Sequence, residues 1–180
     1  MSGDEPVSIQ PYDPGWPARF AAEAQAIRAV IGQWITGGIH HVGSTAVPGL
    51  SAKPIIDIQV GVVDLESSRP CIELLATLDY QYAPWRADVM HWFCKPDPAH
   101  RTHHLHLVPT GSERFLDVLA FRDWLRTDPE AAAEYEALKR ELARRFHHDR
   151  EAYTEGKLAL VNRMTKLARE RGLPPEDRGR

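Results

Sequence analysis

The chain has 180 residues, of which 43% are hydrophobic and 26% charged, and its formal net charge at pH 7 is −3. These values are typical of an ordinary globular protein, and they exclude a fibrous repeat, a wholly disordered chain and a protein that coats nucleic acid through a broad basic surface. The two distant cysteines indicate neither a zinc knuckle nor a disulfide framework, and no apolar run could span a bilayer, so we expect a cytoplasmic protein without a signal peptide.

The first predicted element is a helix that opens at Asp13-Pro14, a capping carboxylate followed by proline at the first helical position. Gly37-Gly38 is expected to end it. One apolar stripe at helical spacing predicts a packing role for this helix, and it consists of Trp16, Phe20, Ile27, Ile31 and Trp34.

A strand, a loop and a second strand follow. Ile39 to Val42 is a short apolar run that stops at the Gly43-Ser44 pair, and residues 55–62 alternate strictly between two faces. The alternation places Asp57 and Gln59 on one face and the larger aliphatic side chains on the other. A carboxylate is therefore predicted in a strand beside a Gly-Ser turn, where backbone amides and a hydroxyl can hold an anion.

The middle of the chain predicts a short helix near residues 70–78, short strands at residues 80–84 and 91–94, and an irregular loop at residues 95–101. A further strand is predicted from Thr102 to Val108. Its parity places His104 and His106 on one face because Leu105 and Leu107 favour burial on the other.

The last third predicts helices. Thr127-Asp128-Pro129-Glu130 is a capping box with an apolar stripe behind it, and a final helix is expected from about Thr154 to Arg171. We expect one domain over residues 1–172 and a charged, disordered tail over residues 173–180. The stripe of the first of these helices is Tyr135, Leu138, Leu142 and Phe146, and that of the second is Leu158, Val161, Met164 and Leu167.

The run from His41 to Ile58, which reads HVGSTAVPGLSAKPIIDI, resembles the signature of the GrpB family. Further blocks in the family's order extend the resemblance over roughly residues 7–171, and they include PYDP from Pro11, THHLHLV from Thr102, FRDWLR from Phe121 and YTEGK from Tyr153. The resemblance implies an α/β fold of the nucleotidyltransferase-like type, with a small mixed β-sheet flanked by helices.

Nucleotidyltransferase-type sites place two carboxylates two residues apart, because two divalent metals share them while a triphosphate is aligned. Asp57 occupies the first position, but Gln59 occupies the second, and a neutral amide is a poor bridging ligand. We nevertheless expect a metal-dependent transferase of nucleotidyltransferase type that acts on a small, anionic molecule, with Mg²⁺ and a nucleoside triphosphate as expected cofactors. The alternative for Asp57 is a turn or capping acid.

The histidines suggest a second possibility. Asp57, His104 and His106, with His41, form a mixed nitrogen and carboxylate set that suits Zn²⁺, Fe²⁺, Mn²⁺ or Ni²⁺ better than Mg²⁺. Such a site would belong to a single-metal hydrolase, lyase or cyclase. Equally, the imidazoles could hydrogen-bond a bound anion or one another.

The expected anion site combines the turn with three cations. The turn residues are Gly43, Ser44 and Thr45. The cations are Lys53, Arg122 and Lys157, each of which could instead be a solvated charge or a salt-bridge partner. A non-catalytic module that binds an anion or a nucleotide is the third hypothesis.

Overall fold

The computed structural model describes residues 6–172, and a five-stranded sheet is the central element of that range. Six α-helices and five strands occur among the described residues. In chain order they are α1 (Trp16–Ile31), β1 (Ile35–Val42), β2 (Ile56–Val62), α2 (Cys71–Ala76), β3 (Gln81–Ala83), β4 (His91–Pro96), β5 (Arg101–Pro109), α3 (Glu113–Thr127), α4 (Pro129–Arg145), α5 (Arg150–Glu155) and α6 (Leu158–Glu170).

The sheet has the strand order β1-β2-β5-β4-β3 and is mixed. β2 and β5 pair in parallel, whereas the other neighbouring strands pair antiparallel. A parallel pair requires a crossover connection, which here consists of α2, β3 and β4. The expected α/β fold with a small mixed sheet and flanking helices is confirmed.

The back face of the sheet carries the main hydrophobic core. Ile58 and Val60 of β2 and Leu105 and Leu107 of β5 are fully buried there, and α1 and α2 cover them. These are the aliphatic positions that the alternation assigned to a buried face, so the period of both strands is confirmed.

The front face is only partly covered. α3 packs on it through Phe115 and Leu119, which contact Val42 of β1 and Val108 of β5. Helices α4, α5 and α6 form two further clusters with the loop before β2 and the start of the chain. The front face next to Asp57 is therefore bordered by elements from the second half of the chain.

The start of the chain differs from its prediction. α1 begins at Trp16, with Pro17 in its first turn, and Asp13 instead accepts a hydrogen bond from the Gly15 amide at 2.7 Å. Gly37-Gly38 does not end the helix but lies within β1, where the register with β2 shifts. A Cβ at Gly61 would meet the Gly37 Cα at 2.5 Å, so the glycines permit close approach of two strands.

The final helix is also different, because the chain breaks into α5 and α6 at Gly156-Lys157. Met164 and Ala168 are buried, but Leu158 and Leu167 are 51% and 39% exposed, so half of the predicted stripe faces solvent. The predicted capping box is wrong by one residue: Thr127 is the last residue of α3, and Asp128 is the N-cap of α4, where its side chain accepts from the Ala131 amide at 3.0 Å.

The predicted tail, residues 173–180, lies outside the described residues. Within residues 6–172, no helix is long and apolar enough to cross a membrane. β4 and β5 extend further into the predicted 95–101 loop than expected, to Pro96 and from Arg101.

Candidate functional site

The Gly-Ser turn approaches the strand carboxylate closely. Val42 pairs with Asp57 across β1 and β2, so Gly43 follows directly beside that side chain. A Cβ on Gly43 would lie 2.5 Å from Asp57 Oδ2, and the Gly43 φ of +70° with ψ of −171° is a conformation that only glycine adopts readily. Only glycine therefore allows the turn to lie against the Asp57 carboxylate.

His104 holds the other oxygen of Asp57. The two residues are register partners in the parallel pair β2·β5, and His104 Nδ1 lies 2.9 Å from Asp57 Oδ1. The Asp57 side chain remains 30% exposed, whereas that of His104 is 16% exposed and its Nε2 atom is buried without a hydrogen-bond partner among residues 6–172. Asp57 is thus the reachable member of the pair, and His104 orients it.

The charge of Asp57 is stabilised locally. Burial opposes ionisation, but the hydrogen bond and charge of His104, with a contribution from the charge of Lys53, hold the pKa of this carboxyl below its ordinary value. A carboxylate that stays ionised can accept a hydrogen bond from a substrate hydroxyl, bind a cation or repel a misplaced anion.

His106 shares this face of the sheet, as its register with Gln59 shows. Its Nδ1 atom lies 3.3 Å from Met90 Sδ, and burial lowers its pKa to about 3, so the ring is neutral. Among residues 6–172, no three histidine, cysteine or carboxylate side chains are grouped so that they could hold a metal ion. Asp57, His104 and His106, which were predicted to bind a metal together, therefore do not form a coordination site.

Gln59 has a structural role. It is 1% exposed, and its amide nitrogen donates to the Phe115 carbonyl of α3 at 3.0 Å. An ionised carboxylate has no proton to donate, so an acid at this position would leave that carbonyl unpaired and bury a charge. At the position where a two-metal site has its second carboxylate, this chain has a residue whose hydrogen bond joins α3 to the sheet.

His41 lies on the back face, away from Asp57 in register. Its ring stacks on Phe20 of α1 at 4.8 Å, and its Nε2 lies 2.9 Å from Thr45 Oγ1. Thr45 in turn donates to the Ile55 carbonyl at 3.2 Å and is 1% exposed. The structure therefore places His41 and Thr45 in a bridge that closes the loop between β1 and β2, not among ligands around Asp57.

Two of the three predicted cations lie near Asp57. Lys53 Nζ and Lys157 Nζ lie 5.0 and 4.3 Å from the centroid of the Tyr153 ring, and the charge of Asp57 acts on Lys157. Burial, together with the like charges of Lys53 and Lys139, lowers the pKa of Lys157 to about 7. An anion bound here would stabilise the protonated amine.

Arg122 is not part of this group of lysines. Its side chain is 2% exposed, Nε donates to Asp123 Oδ1 at 2.7 Å, and Nη1 donates to the His41 carbonyl at 3.1 Å. These contacts fasten α3 to the edge strand β1. Arg122 is therefore a salt-bridge partner, which was its alternative interpretation, and its partner is Asp123.

Sequence reasoning missed four residues around Asp57. Lys139 is buried and donates to the Ser51 carbonyl, and burial lowers its pKa to about 7. Tyr135 was predicted only as part of a packing stripe. Its side chain is hydrogen-bonded to that of Ser44, and burial raises its pKa to about 12.

The other two residues are Arg114 and Trp92. Arg114 interacts electrostatically with Asp57, and the Trp92 ring lies 5.4 Å from that of His104. Of the four residues, only Trp92 had a side-chain direction that could be predicted, because a strand was expected at residues 91–94.

A separate cavity of about 240 Å³ lies behind the turn, on the β1 side. Its lining does not include Asp57, Lys53 or Lys157 but includes the His41 ring with Phe20, Arg122 and Arg126. The side chains around Asp57 are therefore not part of the lining of this cavity.

Comparison with known proteins agrees with this arrangement of elements. A crystal structure of the conserved protein GrpB from Enterococcus faecalis superposes with a TM-score of 0.84 at 31% sequence identity, covering 91% of this chain and 98% of that one. A UPF0157 protein of Pseudomonas aeruginosa is 44% identical over 169 residues, which are 89% of this chain and 67% of the relative.

Part of a larger protein is similar as well. A dephospho-CoA kinase of Mycolicibacterium paratuberculosis is 33% identical over 173 residues, but these are 82% of this chain and only 42% of that protein. The model of the GrpB protein family matches residues 6–167, nearly the whole range that the structure describes. The chain therefore belongs to the GrpB family.

Proposed function

We propose that the Asp57 centre is the site of a transferase that moves a phosphoryl or nucleotidyl group to or from a small, phosphate-bearing molecule. One observation carries the proposal: a partly exposed, ionised carboxylate is held by a half-buried histidine and lies near two half-buried lysines, Lys53 and Lys157, whose charges repel each other. Cations of like charge close to a single carboxylate favour a negatively charged ligand, because a bound anion lowers their mutual repulsion.

Each residue has a specific part in this proposal. Lys53 and Lys157 would neutralise phosphate oxygens, and Ser44, at the start of the 3₁₀ turn after Gly43, would present its hydroxyl and amide to them. Asp57 would accept a hydrogen bond from the attacking hydroxyl, so that its oxygen is aligned with phosphorus. His104 would keep the carboxylate in that orientation.

The residues do not fit a two-metal centre, because Gln59 is buried and committed to Phe115. Asp57 is the residue that would bind a divalent ion brought in with a phosphate-bearing substrate, where the ion would offset the charge that develops during transfer. The proposed catalytic roles therefore belong to the protein's own side chains.

The partial likeness to a dephospho-CoA kinase suggests which molecules to test first. Dephospho-CoA is an adenine nucleotide derivative, and the matched region covers 42% of that relative. Dephospho-CoA and ATP therefore belong in the ligand panel, beside inorganic phosphate and ribose 5-phosphate.

The test has a binding stage and a turnover stage. Thermal shift and calorimetry with this panel should show binding that Lys157→Met weakens about tenfold, since charge-assisted hydrogen bonds contribute about 1.5–3 kcal/mol. Mass spectrometry should then detect transfer from ATP to a phosphorylated or hydroxyl-bearing acceptor, with and without Mg²⁺, that Asp57→Asn abolishes without loss of binding.

His100→Gln is the matched control, because the His100 side chain is 65% exposed and contacts only Asp97 among the interactions described. Full transfer by Asp57→Asn would refute the catalytic role of Asp57. Binding without turnover under every metal condition would instead support a non-catalytic anion-binding module.

A further inference from the structure

A group of aromatic side chains borders the Asp57 centre on the side of β4. The Trp92 ring lies 5.4 Å from the His104 ring, 6.5 Å from the Trp85 ring and 5.4 Å from the Arg101 guanidinium carbon. We refer to Trp85, Trp92 and Arg101 as the tryptophan wall. None of these three residues has a role in the proposed transfer.

The wall stands on the same face of the sheet as Asp57. Trp92 pairs with His106 across β4 and β5, and His106 pairs with Gln59 across β5 and β2, so all three share the front face with Asp57. Neighbouring strands lie about 4.8 Å apart, and Trp92 is displaced by two residues along β4 from Cys94, the residue in line with Asp57, so the Cα atoms of Trp92 and Asp57 lie about 12 Å apart. Both residues face the same side of the sheet, so one elongated ligand can contact them both.

Trp85 is unusual among the large apolar side chains because it is 53% exposed. It lies in the turn between β3 and β4, where Arg86 adopts a φ of +49°, and it contacts Trp92 edge to face. An indole that remains exposed can stack on a planar ligand, and stacking on an aromatic residue contributes substantially to the binding of a base. Arg101 adds a guanidinium plane and a positive charge.

We propose that the tryptophan wall is a subsite for the heteroaromatic ring of the substrate, which makes that substrate a nucleotide or a nucleotide-derived cofactor. The inference rests on the proposed function, since it assumes that Lys53 and Lys157 hold the phosphate of the same molecule. Trp85 supplies the stacking surface, Trp92 supports it from the sheet, and the ring lies on the β4 side of His104.

The experiment compares ligands that share a phosphate and differ in the ring. AMP and ribose 5-phosphate are titrated into the full chain by calorimetry, with quenching of tryptophan fluorescence as an independent readout. AMP is expected to bind at least fivefold more tightly than ribose 5-phosphate and to quench fluorescence more strongly.

Trp85→Ala is expected to remove that preference and to leave ribose 5-phosphate binding unchanged. Val63→Ala is the matched control, because Val63 is an apolar residue that is 66% exposed at the end of β2. Since Trp85 is exposed, its replacement should leave the melting temperature close to that of the parent.

Equal affinities for AMP and ribose 5-phosphate, or an unchanged preference in Trp85→Ala, would overturn the subsite while leaving the anion site and the transferase intact. Conversely, AMP binding that depends on Trp85 but not on Lys157 or Asp57 would support the subsite and refute the proposed function. Failure of AMP to bind at all would overturn the inference.

Discussion

The Cα atom of Gly43 lies against the carboxylate of Asp57, so closely that a Cβ at this position would come within 2.5 Å of Oδ2. The Gly-Ser turn therefore restricts one oxygen of Asp57 while His104 holds the other at 2.9 Å. The carboxylate is fixed from two sides by residues that are 61 positions apart in the chain, from Gly43 to His104.

Gly43→Ala should displace Asp57 and weaken binding of phosphate-bearing ligands, and it should lower the free energy of unfolding by about 1–3 kcal/mol through backbone strain. Gly49→Ala is the control, because Gly49 also has a positive φ, +80°, but no atom lies within 4 Å of the added Cβ. Urea denaturation and ligand titration separate the two effects. Equal loss of ligand affinity in both variants would contradict the contact with Asp57.

Replacing Gln59 tests the assignment of this residue to structure. Gln59→Leu should lower the free energy of unfolding by about 1–3 kcal/mol, because the Phe115 carbonyl loses its donor. Gln59→Glu should be more destabilising at pH 8, where it also buries a charge. Urea denaturation at that pH measures both, and a Gln59→Glu protein as stable as the parent would show that the position tolerates a carboxylate.

The stability of the fold should fall in mild acid, and His41 should contribute to this loss together with His106, whose pKa burial also lowers, to about 3. Burial, together with the charges of Arg126 and Arg122, lowers the pKa of His41 from 6.5 to about 4 against the opposing charge of Asp57. The unfolded chain therefore binds a proton below pH 6.5 that the folded chain does not, and stability is lost as the pH falls from 6.5 towards 4. The loss from His41 is at most about 3 kcal/mol, since one pKa unit corresponds to 1.36 kcal/mol.

Chemical denaturation at several pH values between 7 and 4 measures this dependence. His41→Gln should reduce its slope, although the variant loses the stacking on Phe20 and is less stable at every pH. His100→Gln should keep the slope of the parent, because that side chain is largely exposed. A slope that His41→Gln leaves unchanged would assign the acid sensitivity to other groups.

Anion binding should be coupled to proton uptake through Lys157. Its pKa of about 7 in the free protein means that much of the amine is neutral at pH 8, and a bound phosphate favours the charged form. Affinity should therefore fall as the pH rises from 7 to 9. Calorimetry in two buffers of different ionisation enthalpy measures the protons taken up on binding.

Lys157→Met should reduce both the uptake and the pH dependence. Lys166→Met is the control, because the Lys166 side chain is 78% exposed on α6, the helix that follows Lys157. If the Lys157→Met protein takes up as many protons as the parent, the cation that titrates on binding is a different one.

The periods of the strands and helices could be predicted from the order of residues alone. Alternation identified the buried faces of β2 and β5, placed Asp57 beside a Gly-Ser turn, and put His104 and His106 on one face, because side-chain direction in a strand depends only on the parity of position. Helical spacing identified the packing stripes of α1 and α4, and residues adjacent in the chain indicated the start of α4, although its cap is Asp128 and not Thr127 of the predicted capping box. The resemblance of the signature run indicated the family.

Which of these faces contact one another depends on how the strands and helices pack. Asp57 contacts His104 because β2 and β5 pair in parallel in that register, and Gln59 is structural because the Phe115 carbonyl of α3 lies above it. The register of β1 against β2 sends His41 to the back face, and Lys53, Lys139 and Lys157 converge from a loop and two helices. Such contacts depend on long-range packing of the core, which parity and spacing within a segment do not specify.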